Sequence, residues 1–473
     1  MKRHRLLIVA ISLLLLTFTV KLPAHAEFMG IDKLTLSGYL KNATSINVDT
    51  ADSMDEFLKI RSTAQLAVEY RLTENIHLFT IFREWYDSVY DAESKWRRHS
   101  GNRKEMSRTK GTDWLRECYI DYYSDYLDIR IGKQQVVWGT ADGVKILDIV
   151  NPIDYREFHL ELTRGHDVDV KIPLWMLKVE YAPTVNGTLQ FLFIPDFESN
   201  FTAPAGAPYA VRAKNAGEVR LDTLRNAGID VAIDNKKPAQ TFENSSFGVR
   251  WLDVIGGFEY TLNYLHGYSN SMTRHFLGVE PDGARSVAYF EDRYAETETL
   301  GASFSKAITK GPLRGYKFWG EFAYIKNDDN GYGTKDDQVG VGEVDRYNYV
   351  LGIEKYFWTN WLVGFQFMQF WLEQEKEDGY HYLNGPTSDI LDQCETMLSL
   401  SIRTDFMHER LLPRVLIQWG DDNDWAISPR AEYELRDYLI LAWGMTIFNG
   451  KNSQLFGQFS DRDTMYFEVK LGF

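Results

Sequence analysis

The sequence predicts an all-β protein, a closed transmembrane antiparallel barrel of about 18 strands, the even number that such barrels have when both termini lie on the same side. Apolar and polar side chains alternate along many short segments, the connections between these segments are alternately short and long, and the chain begins with an export signal. An antiparallel barrel with short turns at one end and long loops at the other has these properties. Aromatic residues make up 14% of the chain, which suits the aromatic girdles of such barrels.

Residues 1–26 are predicted to be a secretory signal peptide, which leaves residues 27–473 as the barrel. A basic stretch precedes an apolar run from Leu6 to Val20, and Ala24-His25-Ala26 places small residues before the cut. The run is shorter than the ~20 residues of a comfortable membrane span. A cleaved signal is therefore favoured over an uncleaved anchor.

The clearest alternation is in the last ten residues, where one face is polar and the other consists of Met465, Phe467, Val469, Leu471 and Phe473. This pattern is typical of a strand between lipid and a watery lumen. The terminal Phe473 resembles the signal that the barrel-assembly machinery reads. The same period recurs over residues 58–72, 346–354 and 395–405. A soluble β-sandwich also alternates, so this observation alone indicates strands and leaves membrane insertion open.

Connection lengths separate a barrel from a sandwich. Short connections are predicted near residues 73–74, 124–125, 359–360, 408–409 and 436–437, and long polar ones over 87–112, 139–167, 196–245, 267–292, 327–342 and 373–393. Short and long alternate along the chain, as periplasmic turns and extracellular loops do in outer-membrane barrels. The Ala-, Gly- and Pro-rich segment 202–237 is interpreted as part of an extracellular loop. The number of strands between residues 168 and 265 stays open.

One segment is more distinctive than the rest. A predicted strand ends in Gly132-Lys133-Gln134-Gln135-Val136-Val137-Trp138-Gly139, and a loop with Asn151-Pro152-Ile153-Asp154 follows. This pattern, G-[KR]-Q-x-V-x-W-G followed by N-P-x-D, resembles a porin-like outer-membrane family that is catalogued mainly as a domain of unknown function. The strand is also similar to that of alginate-export-type and other substrate-specific porins. The resemblance implies a barrel that passes solutes, with these motif residues: Gly132, Lys133, Gln134, Val136, Trp138, Gly139, Asn151, Pro152 and Asp154.

Strict alternation along this strand would place a charge in lipid. If Ile131 faces lipid, Arg130 faces the lumen and Lys133 points outward, at a cost of roughly 2–4 kcal/mol at mid-depth. We therefore expect either a β-bulge near Gly132 that resets the register or a strand that has reached the membrane interface. Trp138 is then expected in an interfacial aromatic belt.

The connection near residues 139–167, the third external loop in this count, is predicted to fold into the lumen. It is too apolar for a free surface loop, and it also carries many charges that would line the pore and set ion selectivity. A loop folded over the rim is the alternative. The candidate pore-lining residues in this loop and on the facing wall are Asp142, Lys145, Asp148, Asp154, Arg156, Glu157, Arg130, Lys59, Arg61 and Arg403.

Charge and motif content argue against several other functions. The four basic residues of the signal take the net charge from −15 to −19 in the remainder, which argues against nucleic acid as a partner. No G-x-S-x-G or H-E-x-x-H pattern occurs, although His159 and His166 lie among carboxylates in the third loop. Cys118 and Cys394 are far apart, and no C-x-x-C-H haem site occurs. We expect no cofactor and no metal.

The sequence therefore predicts a porin-type channel for passive diffusion of small solutes in the outer membrane of a Gram-negative bacterium. Its expected partners are outer-membrane lipid, the barrel-assembly machinery and small solutes, and a homo-oligomer stays open. Two alternatives are a barrel that sheaths or anchors a partner protein and, less favoured, a barrel enzyme. A lumen filled by the chain's own loops would argue against the sheath.

Overall fold

A closed antiparallel barrel of 18 strands forms the body of the protein. The first strand pairs with both the second and the last, so the wall closes, and the predicted fold class is confirmed. The computed structural model describes residues 26–27, 33–49, 56–97, 100–109, 111, 113–141, 145–158, 170–283, 285–334, 337–373, 381–383 and 391–473. The predicted signal peptide, apart from Ala26, lies outside the described residues.

The wall strands follow the chain in order, each paired with its predecessor. They are β1 (Leu34–Asn47), β2 (Phe57–Arg71), β3 (Ile76–Asp87), β4 (Leu115–Tyr122), β5 (Leu127–Gln134), β6 (Leu174–Tyr181), β7 (Thr188–Ile194), β8 (Ser246–Ile255), β9 (Phe258–Tyr268), β10 (Glu296–Ala307), β11 (Tyr316–Thr334), β12 (Asp337–Phe357), β13 (Trp361–Leu372), β14 (Cys394–Arg403), β15 (Leu411–Trp419), β16 (Trp425–Arg436), β17 (Leu439–Asn449) and β18 (Thr464–Gly472).

Smaller elements lie in the connections. The helices are α1 (Val89–Ala92), α2 (Ser100–Met106) and α3 (Arg212–Asn226), with 3-10 turns at Asp421–Asn423 and Gly457–Phe459. A second sheet joins Ile229–Asn235, Thr273–Asp282 and Arg285–Arg293, and two-residue strands occur at Ala26–Glu27, Asp154–Tyr155, Phe201–Thr202 and His381–Tyr382. Among the described residues, no helix has both the length and the apolar character needed to cross a bilayer.

Alternation along the strands sorts side chains between the two faces of the wall. On β9, Thr261 and Asn263 are buried inside, whereas Leu262 and Tyr264 are exposed outside. On β18, Tyr466 and Glu468 face inward in the same way. An apolar outside and a polar inside is the arrangement that lipid around a watery lumen selects.

The chain's last residue completes the seam. Phe473 and Gly38 exchange two backbone hydrogen bonds, of 2.9 and 3.0 Å. The phenyl ring packs on Gly38, where an added Cβ would lie only 2.7 Å from it. The role of Phe473 as an assembly signal stays a prediction.

Connections at one end of the barrel are turns of two to eight residues, and those at the other end are mostly longer. We number the latter loop 1 (48–56), loop 2 (88–114), loop 3 (135–173), loop 4 (195–245), loop 5 (269–295), loop 6 (335–336), loop 7 (373–393), loop 8 (420–424) and loop 9 (450–463).

Two of the long connections predicted from the sequence contain strands. Residues 327–342 mostly continue the pairing of β11 with β12, which leaves loop 6 very short. Residues 267–292 contain two strands of the second sheet. Both segments are polar, but they also contain β-branched and aromatic residues. Further backbone hydrogen bonds between two strands lengthen a hairpin beyond the apolar band of the wall, because strand pairing itself does not require contact with lipid.

Candidate functional site

Motif residues hold the base of loop 3. The side-chain oxygen Oδ1 of Asn151 accepts a hydrogen bond from the backbone N–H of Val136 (2.7 Å). The side-chain Nδ2 of Asn151 donates to the backbone carbonyls of Gln134 (3.3 Å) and Ile172 (3.0 Å). Pro152 follows, and its carbonyl accepts from the N–H of Ile172 (2.7 Å). One asparagine side chain therefore joins the two ends of loop 3.

Trp138 lies inside the protein, so its predicted place in an interfacial aromatic belt is wrong. Its side chain is 3% exposed and packs with Val150, Met176 and Leu192. The indole N–H donates a hydrogen bond to Gln190 on β7 (2.7 Å). The chain turns inward after β5, which brings the indole against the inner face of β6 and β7.

The register of β5 is also simpler than predicted. Its pairing with β4 and β6 passes through Gly132 without a shift, so the bulge, the first of the two predicted alternatives, is absent. Gly132 has φ +137°, and a Cβ would lie 2.2 Å from the Cys118 carbonyl oxygen. Only glycine suits that backbone. Lys133 lies one residue before the strand end, and its ammonium donates to the Leu115 carbonyl (2.9 Å).

Glu321, a buried residue on β11, binds the segment of loop 3 that contains Thr140, Ala141 and Leu147, which we call the tip of the loop. Its carboxylate accepts hydrogen bonds from the backbone N–H groups of Thr140, Ala141 (3.1 Å) and Leu147 (3.2 Å), and from the Thr140 hydroxyl (3.2 Å). Strand β11 lies six strands away from β5 around the wall. This part of loop 3 therefore extends from one side of the barrel to another.

Gly139 makes this contact possible. A Cβ at that position would lie 2.8 Å from Glu321 Oε2 and 2.8 Å from the backbone nitrogen of Asp148. Any side chain would therefore push the loop backbone away from the carboxylate. The close contact is a physical reason for glycine at the end of the motif segment 132–139.

Loops 3, 4 and 9 meet in an apolar cluster against the wall from β11 to β17. Leu147 of loop 3 is completely buried, and its methyl group fills the space beside Gly301 on β10. Burying such side chains stabilises a loop by ~1.5–3 kcal/mol each. The members are Ala141, Ile146, Leu147, Val211, Trp319, Ala323, Val350, Met368, Met397, Ala426, Phe448, Phe456 and Phe459.

The part played by loop 4 was not predicted from the sequence. Tyr209 is buried and shares a 2.7 Å hydrogen bond with the Ser45 hydroxyl on β1. Its neighbour Pro208 accepts a hydrogen bond from Arg462 of loop 9 (2.7 Å). The available signal was the uncharged stretch 203–211, whose small apolar residues suit a buried segment better than an extracellular one.

Asp424 of loop 8 anchors loop 9. Its two carboxylate oxygens accept hydrogen bonds from the backbone N–H groups of Phe456 (2.9 Å) and Gly457 (2.7 Å). Burial raises the pKa of the Asp424 carboxyl to about 6. A carboxyl with a raised pKa binds its proton more tightly in the folded contact than in a released loop, so ionisation weakens the contact.

The contact between loops 8 and 9 should therefore become more stable as the pH falls through about 6. We expect limited proteolysis within loop 9 to become slower over the same range. The Asp424→Asn variant should lack this dependence, whereas Asp437→Asn, in an exposed turn at the other end, should keep it. Equal pH dependence in both variants would contradict the assignment.

A cavity of about 490 Å³ lies along the wall from β1 to β5 beneath loops 2, 3 and 4. We call it the basic cavity, because basic side chains outnumber acidic ones in its described lining. The basic residues are Lys41, Lys59, Arg61, Arg83, Arg116, Lys133, Arg156, Lys171 and Lys237, and the acidic residues are Asp113, Asp154, Glu157, Glu198 and Glu468.

Several predicted pore-lining residues meet in this cavity. Glu157 of loop 3 binds Lys59 (2.7 Å) and Arg61 (2.8 Å) on β2. Arg156 binds Asp154 (2.8 Å). The guanidinium carbons of Arg61 and Arg156 lie 4.6 and 4.4 Å from the ring centre of Trp85, a residue that we did not single out from the sequence.

The other candidates lie elsewhere. Arg130 binds Asp121 on the neighbouring strand (2.6 Å). Arg403 lies near Glu354 (3.8 Å) in a second cavity of about 260 Å³ towards the short-turn end, which Thr140 also lines.

Within loop 3, Asp148 forms an ion pair with Lys171, and Lys145 is half-buried nearby. Asp142 lies outside the described residues, as do His159 and His166.

Metal-binding groups were also sought. The described ranges contain no group of three or more His, Cys, Asp or Glu residues that could hold a metal ion. Cys118 and Cys394 are both free thiols.

A family model described as "Protein of unknown function (DUF1302)" matches residues 41–473. No curated protein matches the chain. Solved structures similar to it include Acinetobacter baumannii OccAB3 (9% identity, 93% of this chain and 99% of that one, TM-score 0.49). Others are Salmonella typhi OmpF in complex with daunomycin (11%, 94% and 99%, 0.43) and a mutant of Rh. blastica porin (11%, 93% and 100%, 0.38).

Proposed function

We propose that this chain, which belongs to the DUF1302 family, is a passive diffusion channel for small solutes in the outer membrane of a Gram-negative bacterium. The solute gradient would drive transport, and loop 3 would narrow the lumen. The expected likeness to alginate-export-type porins stays a prediction.

One observation carries the proposal: loop 3 is fixed across a closed wall whose outside is apolar. The contact with Glu321 holds the loop tip against β11. Loop 3 also lines both charged cavities, the smaller one through Thr140 and the basic cavity through Asp154, Arg156 and Glu157. An apolar exterior supports membrane insertion. Charged groups beside a constriction are the arrangement by which channels select ions.

The sheath alternative gains no support from these contacts. Loops 3, 4 and 9 of the chain itself pack together against the wall from β11 to β17. A sheath needs this space for the partner protein. For the enzyme alternative, none of the described contacts joins a nucleophile to a base in the way that nucleophilic catalysis requires.

Liposome swelling tests the proposal. Vesicles containing the folded mature chain should swell in small sugars and amino acids, and the rate should fall steeply as solute size increases. Heat-unfolded protein is the matched control, since it keeps the composition but loses the barrel. Swelling rates equal to those of protein-free vesicles for every solute would contradict a diffusion channel.

A further inference from the structure

We propose that the basic cavity binds small organic carboxylates and makes the channel favour them over cations. The inference rests on the proposed function and names its substrate class. It concerns a chain whose overall charge would predict the opposite preference, because the net charge is −15.

The first argument is the local charge. Of the described residues that line the basic cavity, nine are basic and five are acidic. The basic residues of the wall come from adjacent strands, with Lys41 on β1, Arg61 on β2 and Lys133 on β5. Some of these charges are already paired, Lys59 and Arg61 with Glu157 and Lys171 with Asp148, but basic groups remain in excess. A cleft in which one sign of charge predominates concentrates counter-ions. The cavity therefore attracts anions within an acidic protein.

The second argument concerns Lys41 and Lys133, which lie on β1 and β5, the first and the last of the consecutive wall strands along the cavity. The ammonium of Lys41 lies over the ring of Tyr39, at 5.9 Å from its centre, and that of Lys133 donates to a backbone carbonyl. Neither forms an ion pair with any residue that the structure describes. Lys133 interacts electrostatically with Asp113 of the same lining, but neither ammonium is in direct contact with a described carboxylate. Both can therefore donate strong hydrogen bonds to the carboxylate of a bound anion.

The third argument is the arrangement of Arg61 and Arg156. Glu157 and Asp154 orient these guanidinium groups, and both lie beside the Trp85 ring. A guanidinium held in this way loses little further freedom when it binds a carboxylate through two hydrogen bonds.

The last argument is the apolar part of the lining, which favours an organic anion over an inorganic one. Tyr39, Trp85 and Phe201 lie among the charges. The volume of about 490 Å³ is within the range of pockets that enclose small organic ligands. A carboxylate with an apolar body would use the charges and the rings together.

The test uses the folded full-length mature chain and benzoate as the probe. Reversal potentials are measured in potassium chloride and potassium benzoate gradients, and benzoate binding in detergent is measured by calorimetry. The Lys41→Gln/Lys133→Gln variant should lose about tenfold in the benzoate-to-potassium permeability ratio, the low end of the enhancement that a charged cleft gives. The matched control is Lys33→Gln/Lys310→Gln, which removes two exposed lysines at the short-turn end.

The outcomes separate this inference from the proposed function. Anion preference that the cavity variant loses and the control keeps supports the inference. A channel that conducts potassium chloride without anion preference or benzoate binding overturns the inference alone. A chain that neither conducts nor binds benzoate overturns both, whereas one that binds without conducting supports the site and contradicts the channel. Equal binding of inorganic phosphate overturns the preference for organic anions.

Discussion

If the chain conducts as proposed, the Glu321→Ala variant should conduct more than the unmodified protein. The substitution removes the acceptor of the four hydrogen bonds by which the described residues of the loop 3 tip bind to Glu321, three of them from backbone N–H groups. A buried donor left without a partner costs ~1–3 kcal/mol. The loss therefore amounts to several kcal/mol, enough to release the tip from β11 and widen the lumen. Single-channel conductance measures the result.

Glu354→Ala provides the matched control for this experiment. Glu354 lies on the neighbouring strand, lines the cavity towards the short-turn end and binds Lys317 (2.8 Å). Its removal changes the charge equally without touching the contact that holds loop 3. Conductance that rises equally in both variants would attribute the effect to charge alone, and unchanged conductance in Glu321→Ala would refute the anchoring role.

The second large effect is expected at the ion pair between Lys171 and Asp148, which lies within loop 3. The side chains are 1% and 3% exposed. Breaking a buried pair by removing one partner costs about 3–5 kcal/mol, because the other charge stays buried without compensation. We therefore expect Lys171→Met to loosen the base of loop 3, which limited proteolysis of the folded barrel would detect.

The double variant Lys171→Met/Asp148→Leu decides the cause. It replaces both charges by apolar groups of similar size, so it should recover most of the protease resistance that the single variant loses. A double variant that is as sensitive as Lys171→Met would show that the ion pair is not the source. Arg225→Met, which breaks two exposed ion pairs on α3, is the control and should change resistance little.

The barrel could be predicted because lipid and lumen impose a period of two on every wall strand. Met465 and Phe467 face outward as the alternation requires, and Glu468 faces inward. The prediction failed where the lipid constraint ends. Trp138 follows β5, and its orientation depends on the turn of the chain into loop 3, which period two does not encode.

The candidate site was predictable only in part for a related reason. Lys59 and Arg61 could be placed on the inner face from their own strand, and the apolar character of loop 3 indicated burial. Glu321 and Trp85 could not be identified, because their importance arises from loop segments distant in sequence. Glu321 binds residues 174–181 positions away. Such contacts depend on the path of a loop, which a local pattern does not determine.

The most direct test of the central claim is the single-channel conductance of the purified mature chain in planar bilayers, with heat-modifiable gel migration as the check of folding. We predict discrete conductance steps that increase in proportion to salt concentration. A correctly folded barrel that inserts into the bilayer and produces no steps would contradict the account.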